Sequence, residues 1–128
     1  MEFSTRSETD DVNTMSFDNA GNLTVPGAVT SQSIRLLNGT ANVLPTDQTI
    51  VFNAASTFTL PAIASVPIGK TYTFKKIDNG NFQFTIQGNG ANIDGAPSQT
   101  SGNNNNRAFV TIQSDGTNWW VISEGSGL

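Results

Sequence analysis

The segment RAFVTIQSDGTNWWVIS, residues 107–123, decides how the rest of the chain has to fold. Its two halves are rich in β-branched and aromatic residues, and residues 115–118, DGTN, separate them. This pattern predicts a β-hairpin. Apolar side chains occupy consecutive positions in both strands, so neither strand has a face that suits water. We therefore expect one face to be covered by the rest of the chain and the other by further copies of the same chain.

Alternation along this hairpin predicts which side chains share a face. Val110 and Ile112 should lie on one face of the first strand and Phe109 on the other. In the second strand, Trp119 and Trp120 should point to opposite sides. The sequence thus predicts one tryptophan on each face of the hairpin.

Composition excludes several classes of function. The 128 residues include no Cys and no His, which excludes disulfides, thiolate chemistry and histidine-containing catalytic triads. Charged residues make up 12% of the chain, and from position 12 onward the chain has five basic and six acidic residues, so its charge is nearly balanced. We therefore expect no nucleic-acid partner. No apolar run approaches the roughly 20 residues that span a bilayer, so membrane insertion is not expected.

The C-terminal two thirds of the chain is expected to be all-β. Short apolar segments recur at regular spacing with polar turns between them, which is typical of an antiparallel β-sandwich or barrel. Helical periodicity is lacking, and at most one helical turn is expected within residues 61–69. The predicted strands are 49–52, 57–60, 70–77, 82–87, 107–113 and 119–123.

The predicted strands 70–77 and 82–87 are each expected to have one buried, apolar face. Residues 82–87, FQFTIQ, alternate apolar with polar, which places the apolar ones on the core. In the preceding strand, TYTFKK, Tyr72 and Phe74 share a face with the aliphatic stem of Lys76. Residues 78–81, DNGN, are turn formers. The two strands are therefore expected to pair as a hairpin.

The N-terminal part has a different pattern. Residues 15–36 contain very short apolar pairs separated by Asn, Asp, Gly and Pro turn signals. Strands of two to four residues bury too little surface to be stable alone, whereas three such ribbons wound together can share a core. Residues 1–11 show no apolar periodicity and are expected to be unstructured. Apolar residues expected along a shared axis are Phe17, Leu23, Val25, Val29 and Ile34.

Several motifs resemble the shaft and head of phage tail fibres and related viral attachment fibres. The string FDNAGNLTVPGAVT, residues 17–30, is similar to their shaft repeats. TLPAIASVPIGKTYTFKK (59–76), NIDG (92–95) and SDGTNWWVIS (114–123) are similar to their terminal heads. The resemblance implies a homotrimer on the virion surface, with the shaft first, the head last and receptor binding at the tip. It also implies that the N-terminal side joins other virion proteins.

This resemblance sets the expected domain organisation. Residues 1–14 would be a disordered lead, 15–46 the shaft and neck, and 47–128 a β-sandwich head. A head of this size rarely has a stable core without disulfides, metal or partners, which favours association. The candidate trimer contacts are Phe17, Leu23, Val25, Val29, Phe109 and Trp119.

The candidate receptor contacts are amide and aromatic side chains. Consecutive asparagines offer donors and acceptors to sugar hydroxyls, and an exposed Trp can stack on a sugar ring. The alternative is that the asparagines form a solvated loop and that both tryptophans pack into the core and the trimer interface. The residues concerned are Asn103, Asn104, Asn105, Asn106 and Trp120.

Catalysis, metal binding and cofactor binding have little support in the sequence. The five acids of the head are Asp47, Asp78, Asp94, Asp115 and Glu124, and the four aspartates occur in turn contexts that favour Asp for backbone capping. We expect a receptor-binding protein without enzymatic activity, metal or cofactor. A purely structural fibre cap and a fibre-borne polysaccharide-degrading enzyme are the alternatives.

Overall fold

The computed structural model describes residues 2–4, 14–24, 33–101 and 107–126, and it is an all-β structure. The described residues contain no α-helix and a single 3-10 turn at Ile63–Ser65, inside the range where the sequence predicts one helical turn at most. No helix in this part of the chain is both long and apolar enough to cross a bilayer. The chain divides into two compact units, Met1–Ser31 and Gln32–Leu128.

The first unit contains a three-stranded antiparallel sheet. Its strands are β1 (Glu2–Ser4), β2 (Thr14–Phe17) and β3 (Leu23–Thr24), in that spatial order. β1 pairs with β2 from Glu2 opposite Ser16 to Ser4 opposite Thr14. The prediction that the whole N-terminal lead is unstructured is therefore wrong for β1, because its backbone is paired with β2.

The turn between β2 and β3 is built by one carboxylate. Asp18 accepts hydrogen bonds from the backbone N–H of Ala20 (2.8 Å) and of Asn22 (2.9 Å) and from the Asn22 side-chain amide (2.9 Å). These bonds, led by that from the Asn22 side chain, hold the pKa of Asp18 below its ordinary value. Gly21 has φ +85°, which glycine adopts without strain. The turn chemistry of this segment is thus as the sequence indicates.

The described residues of the second unit form nine strands. All six strands predicted for the head are present, with ends shifted by at most two residues, and three more precede or join them. In chain order the strands are β4 (Ile34–Leu36), β5 (Gly39–Asn42), β6 (Thr49–Phe52), β7 (Ser56–Thr59), β8 (Thr71–Lys76), β9 (Phe84–Gln87), β10 (Ser98–Thr100), β11 (Phe109–Ser114) and β12 (Trp119–Gly125).

The chain alternates between two sheets and so forms a short solenoid of three coils. β4, β6 and β8 run parallel in one sheet, and β5, β7 and β9 run parallel in the other. Antiparallel strands then complete both sheets, giving the orders β12-β11-β8-β6-β4 and β10-β9-β7-β5. The expectation of a purely antiparallel sandwich is therefore wrong, because two mixed sheets form instead.

Aromatic side chains fill the space between the two sheets. Ring centroids of Phe52 and Phe58 lie 5.2 Å apart, those of Phe52 and Phe84 lie 4.7 Å apart, and those of Phe58 and Phe74 lie 5.2 Å apart. Such pairs add about 0.5–1.5 kcal/mol each beyond the area that they bury. Every second residue of β6, β7, β8 and β11 is buried, as the alternation in the sequence indicates.

The predicted hairpin between β8 and β9 does not form, because the two strands lie in different sheets. Lys76, at the end of β8, is only 1% exposed, and its ammonium donates hydrogen bonds to the carbonyl oxygens of Gly80 and Phe82. The Asp78 carboxylate accepts the Gly80 N–H at 2.9 Å. These bonds fix a wide turn that carries the chain across the core. Lys76 is thus buried, whereas the side chain of the neighbouring Lys75 is partly exposed.

The predicted boundary between neck and head at residues 46 and 47 is also wrong. β4 pairs with β6 and β5 pairs with β7, so residues 34–42 are part of the two sheets. Arg35 on β4 also binds the buried Asp47 through two bonds, of 2.7 and 2.8 Å. The second unit therefore begins at Gln32, because these residues supply its first coil.

Candidate functional site

Trp119 is a core residue and not a trimer contact. It is fully buried within its own chain, and its ring centroid lies 5.5 Å from that of Tyr72. Its backbone N–H donates to the carbonyl of Asn92, and its carbonyl accepts from Asp94. The prediction fails because the segment 92–94 covers the end of the core that Trp119 occupies, so this side chain presents no surface to another chain.

Trp120 points outward, as predicted, and 46% of it is exposed. Its indole N–H donates to Asp115 at 2.8 Å, and the same residue accepts the backbone N–H of Thr117 and of Asn118 at 2.8 Å each. The bonds from Asn118, Trp120 and Thr117, in that order, keep the pKa of Asp115 below its ordinary value. The Trp120 ring is therefore held in one orientation on the surface.

Phe109 lies on the same outward face as Trp120. Phe109 is half-buried, and the Lys75 ammonium lies 5.7 Å from its ring centroid. Trp120 is opposite Gln113, four residues along β11 from Phe109, so the two aromatic side chains occupy opposite ends of the hairpin. The predicted interface residue and the predicted receptor contact thus share one face of one sheet.

This outer face of the five-stranded sheet has apolar residues concentrated at its two edges. At the β4 edge, Ile34 is 69% and Leu36 is 55% exposed. At the β12 edge, Ile122 is 53% exposed and sits at a bulge, where the register with β11 shifts. Between the two edges the outward positions include the threonines Thr49, Thr73 and Thr111.

The outer face of the four-stranded sheet, which we call the polar face, has a different composition. Its strands β5, β7, β9 and β10 read GTAN, STFT, FTIQ and SQT and contain no charged residue. Every second residue points inward, so eight side chains point outward. All eight are uncharged hydrogen-bonding groups, namely Thr40, Asn42, Thr57, Thr59, Thr85, Gln87, Ser98 and Thr100.

The backbone register arranges these eight side chains in two rows across the sheet. One row holds four threonines, Thr40, Thr57, Thr85 and Thr100, each opposite the next. The other row holds Asn42, Thr59, Gln87 and Ser98. Within the rows, the hydroxyls of Thr85 and Thr100 lie 2.9 Å apart, and the Thr59 hydroxyl donates to the Gln87 amide oxygen at 3.1 Å. These two contacts fix the orientation of four of the eight side chains.

A groove of about 480 Å³ adjoins the threonine row. Its lining includes Thr40, Thr57 and Thr85 of the threonine row. The turn that Lys76 fixes contributes Asn81 and Gln83 as polar groups and the half-buried Phe82 as an aromatic side chain. The groove therefore combines hydroxyls, amides and one aromatic ring.

A second cleft, of about 540 Å³, opens between the two sheets beside β10 and β12. Its lining includes the apolar residues Ile86, Ile93 and Val110 and, among the polar ones, Asp94 and Glu124. Residues 102–106, which connect β10 to β11, lie outside the described residues. The cleft marks where the two sheets separate at the edge of the core.

The aspartates of the second unit hold backbone groups. Asp47 accepts the N–H of Leu44, and Asp94 accepts that of Val121, each at 2.8 Å. Asp78 and Asp115 bond to the turns that follow them. Among the described residues, no three of the residue types that bind metals lie close enough to hold an ion.

Several candidate residues cannot be assigned a position. Asn103, Asn104, Asn105 and Asn106, together with Val25 and Val29, lie outside the described residues. For Phe17 and Leu23 only the backbone is described, and these two residues pair with each other across β2 and β3. Their proposed roles in receptor binding and trimer contact remain predictions.

The polar face could not be anticipated from the sequence, although one signal of it is present. The alternation T-x-T in β7 places two threonines on one side of a strand, but the two rows appear only once the parallel register is known. A scan against family models found no match to this chain, and a search of curated proteins found none that matches it.

Proposed function

We propose that this chain is a homotrimeric viral attachment fibre whose second unit presents three identical surfaces to a receptor on the host cell. The proposal rests on the resemblance of its motifs to tail-fibre shafts and heads. One observation carries it further: large apolar side chains are exposed at both edges of the five-stranded sheet. Such residues at defined places on a small domain mark an association surface.

The two apolar edges suit a ring of identical chains. One edge carries Ile34 and Leu36, and the other carries Trp120 and Ile122. The β12 edge of one copy placed against the β4 edge of the next makes a head-to-tail contact, which closes into a ring when the rotation is 120°. This arrangement covers Trp120 in the assembly, so its role is trimer contact and not receptor binding.

Trimeric presentation makes weak contacts effective. A head bound at one site holds its two neighbours near the same cell surface, and avidity can exceed a single affinity by about 10²–10⁴-fold. A protein with this task needs no catalytic residues. Its affinity depends on the number of copies and on the chemistry of the surface that they share.

Light scattering of the full chain across a range of concentrations tests the assembly. We expect a mass three times that of the 13.6 kDa chain. Leu36→Ser and Ile122→Ser should each shift the population toward monomer, whereas Ile68→Ser, at a residue that is 79% exposed in a turn, should not. A mixture of the two edge variants should form heterodimers, because the intact β12 edge of the Leu36→Ser chain can meet the intact β4 edge of the Ile122→Ser chain. A monomer mass for the unchanged chain would refute the trimer.

Binding of the fluorescently labelled chain to candidate host cells tests attachment. We expect saturable binding that the unlabelled chain competes away. Treating the cells beforehand with glycosidases or with proteases shows whether the receptor is a glycan or a protein. A trimer that binds none of these cells would favour the structural fibre cap, and cleavage of a capsular polysaccharide would favour the enzyme.

A further inference from the structure

We propose that the polar face and its adjoining groove bind an uncharged glycan. This inference rests on the proposed function, in which the glycan is the receptor that the fibre head recognises. The argument uses the composition of the face, the spacing of its rows and the shape of the groove. It does not depend on residues 103–106 or on Trp120.

The composition of the face matches an uncharged, hydroxyl-rich ligand. Five of its eight outward side chains are threonine, and the others are serine, asparagine and glutamine. Hydroxyl groups both donate and accept hydrogen bonds, as sugar hydroxyls do. The four strands supply no charge to pair with a sialic acid, a sulfate or a phosphate, and the outward positions supply no apolar side chain to anchor a protein.

The spacing of the face suits an extended chain of sugars. Neighbouring strands lie about 4.8 Å apart, so a row of four threonines spans roughly 14 Å, and the two rows lie about 6.6 Å apart. The spacing of about 4.8 Å between neighbouring threonines of a row is close to the spacing of successive rings in an extended polysaccharide. Each ring laid along the row therefore meets a hydroxyl group on the protein at a similar position.

The groove adds an aromatic ring and side-chain amides to the hydroxyl groups of the polar face. The half-buried Phe82 has the Lys76 ammonium 4.0 Å from its ring centroid, so a sugar ring can contact only the part of Phe82 that remains exposed. Asn81 and Gln83 offer amides to the edge of that sugar. The hydroxyls of Thr40 and Thr57, which also line the groove, have no hydrogen-bond partner among the described residues and are free to bind a ligand. The groove is thus the place where one end of the glycan is held.

The experiment is a glycan microarray probed with the labelled full chain, carrying neutral, sialylated and sulfated glycans side by side. Hits are then measured by isothermal titration with the same soluble oligosaccharide. The test variant is Thr57→Val with Thr85→Val, which removes two hydroxyls from the face and keeps the β-branched shape. The matched control is Thr49→Val with Thr71→Val, on outward positions of the other sheet.

We expect binding to neutral glycans that the test variant weakens by about tenfold or more and that the control leaves unchanged. Binding to acidic glycans alone, neutral-glycan binding that survives the test variant, or no binding to any neutral glycan would each overturn the proposal.

Cell binding separates this proposal from the proposed function. If the chain attaches to host cells and the test variant attaches equally well after glycosidase treatment, attachment stands, the receptor is a protein and the glycan proposal is wrong. If the chain binds neutral glycans through the face but neither trimerises nor attaches to cells, the glycan proposal stands and the fibre function is wrong.

Discussion

Replacing Asp47 by asparagine should destabilise the second unit by about 2 kcal/mol at pH 7. The carboxylate is 3% exposed and accepts two bonds from Arg35 and one from the Leu44 N–H. Hydrogen bonds to charged groups contribute roughly 1.5–3 kcal/mol. We take the lower part of this range because the Arg35 side chain is 37% exposed, which lets solvent screen the pair. The amide oxygen of the asparagine can still accept the Leu44 N–H, but its NH₂ group cannot accept from the guanidinium.

The same pair predicts how stability depends on pH. Burial alone raises the pKa of Asp47, but the Arg35 hydrogen bonds, the Leu44 N–H and the charges of Arg35 and Lys70 outweigh it, so the pKa in the folded chain lies below the ordinary value. The stabilisation is therefore fully present above the unfolded pKa of about 4 and is lost as the pH falls through the folded pKa. Asp47→Asn lacks this dependence, so its difference from the unchanged chain should shrink in acid.

Urea unfolding followed by tryptophan fluorescence, to which the buried Trp119 contributes, measures both effects at a fixed protein concentration. Arg35→Met and the double variant with Asp47→Asn complete a double-mutant cycle that isolates the pair. A loss below about 0.5 kcal/mol at pH 7 for Asp47→Asn, or a loss that does not change between pH 7 and pH 3, would refute the reasoning.

Two further substitutions test the turns that shape the fold. Lys76→Met keeps the packing of the stem but removes the ammonium that donates to the carbonyls of Gly80 and Phe82, and the Gly80 carbonyl then has only the Phe82 N–H as its donor. We expect a loss of about 1–3 kcal/mol in urea unfolding. Equal stability of Lys76→Met and of the control Lys75→Met would contradict this. Gly88→Ala places a Cβ 1.9 Å from the carbonyl oxygen of Ala91, and since this contact is with backbone we expect a loss of about 1–3 kcal/mol. An unchanged melting temperature for Gly88→Ala would show that the 88–91 turn adjusts at little cost.

The inward and outward faces of the strands could be predicted from the sequence. Alternation in residues 109–114 and 84–87 indicates which side chains are buried, and the structure confirms this for Val110, Ile112 and Ile86. The reason is local, because neighbouring residues of a strand point to opposite sides whatever the strand pairs with. Burial therefore follows from pattern alone.

The pairing of the strands could not be predicted in the same way. Residues 78–81 have the composition of a hairpin turn, yet they connect β8 in one sheet to β9 in the other, and the buried Lys76 ammonium bonds to the Gly80 carbonyl within this connection. Strand β5, GTAN, has no apolar alternation and is not recognisable as a strand, because its stability comes from pairing with β7, 17 residues away. The rows of the polar face depend on the same distant pairings, and so does the candidate site.

The solenoid has a consequence for how such a protein can diversify. The coils differ in length. Ile34 pairs with Thr49 after 15 residues, while Thr49 pairs with Thr73 after 24. Extra residues enter at the corners and leave the stacking of the strands unchanged. Corner loops such as 53–55, three exposed residues of which Ala55 borders the groove, can therefore lengthen or change sequence while the strands stay stacked. The stacked strands then stay constant as a scaffold, and binding specificity changes through the sequence of individual loops.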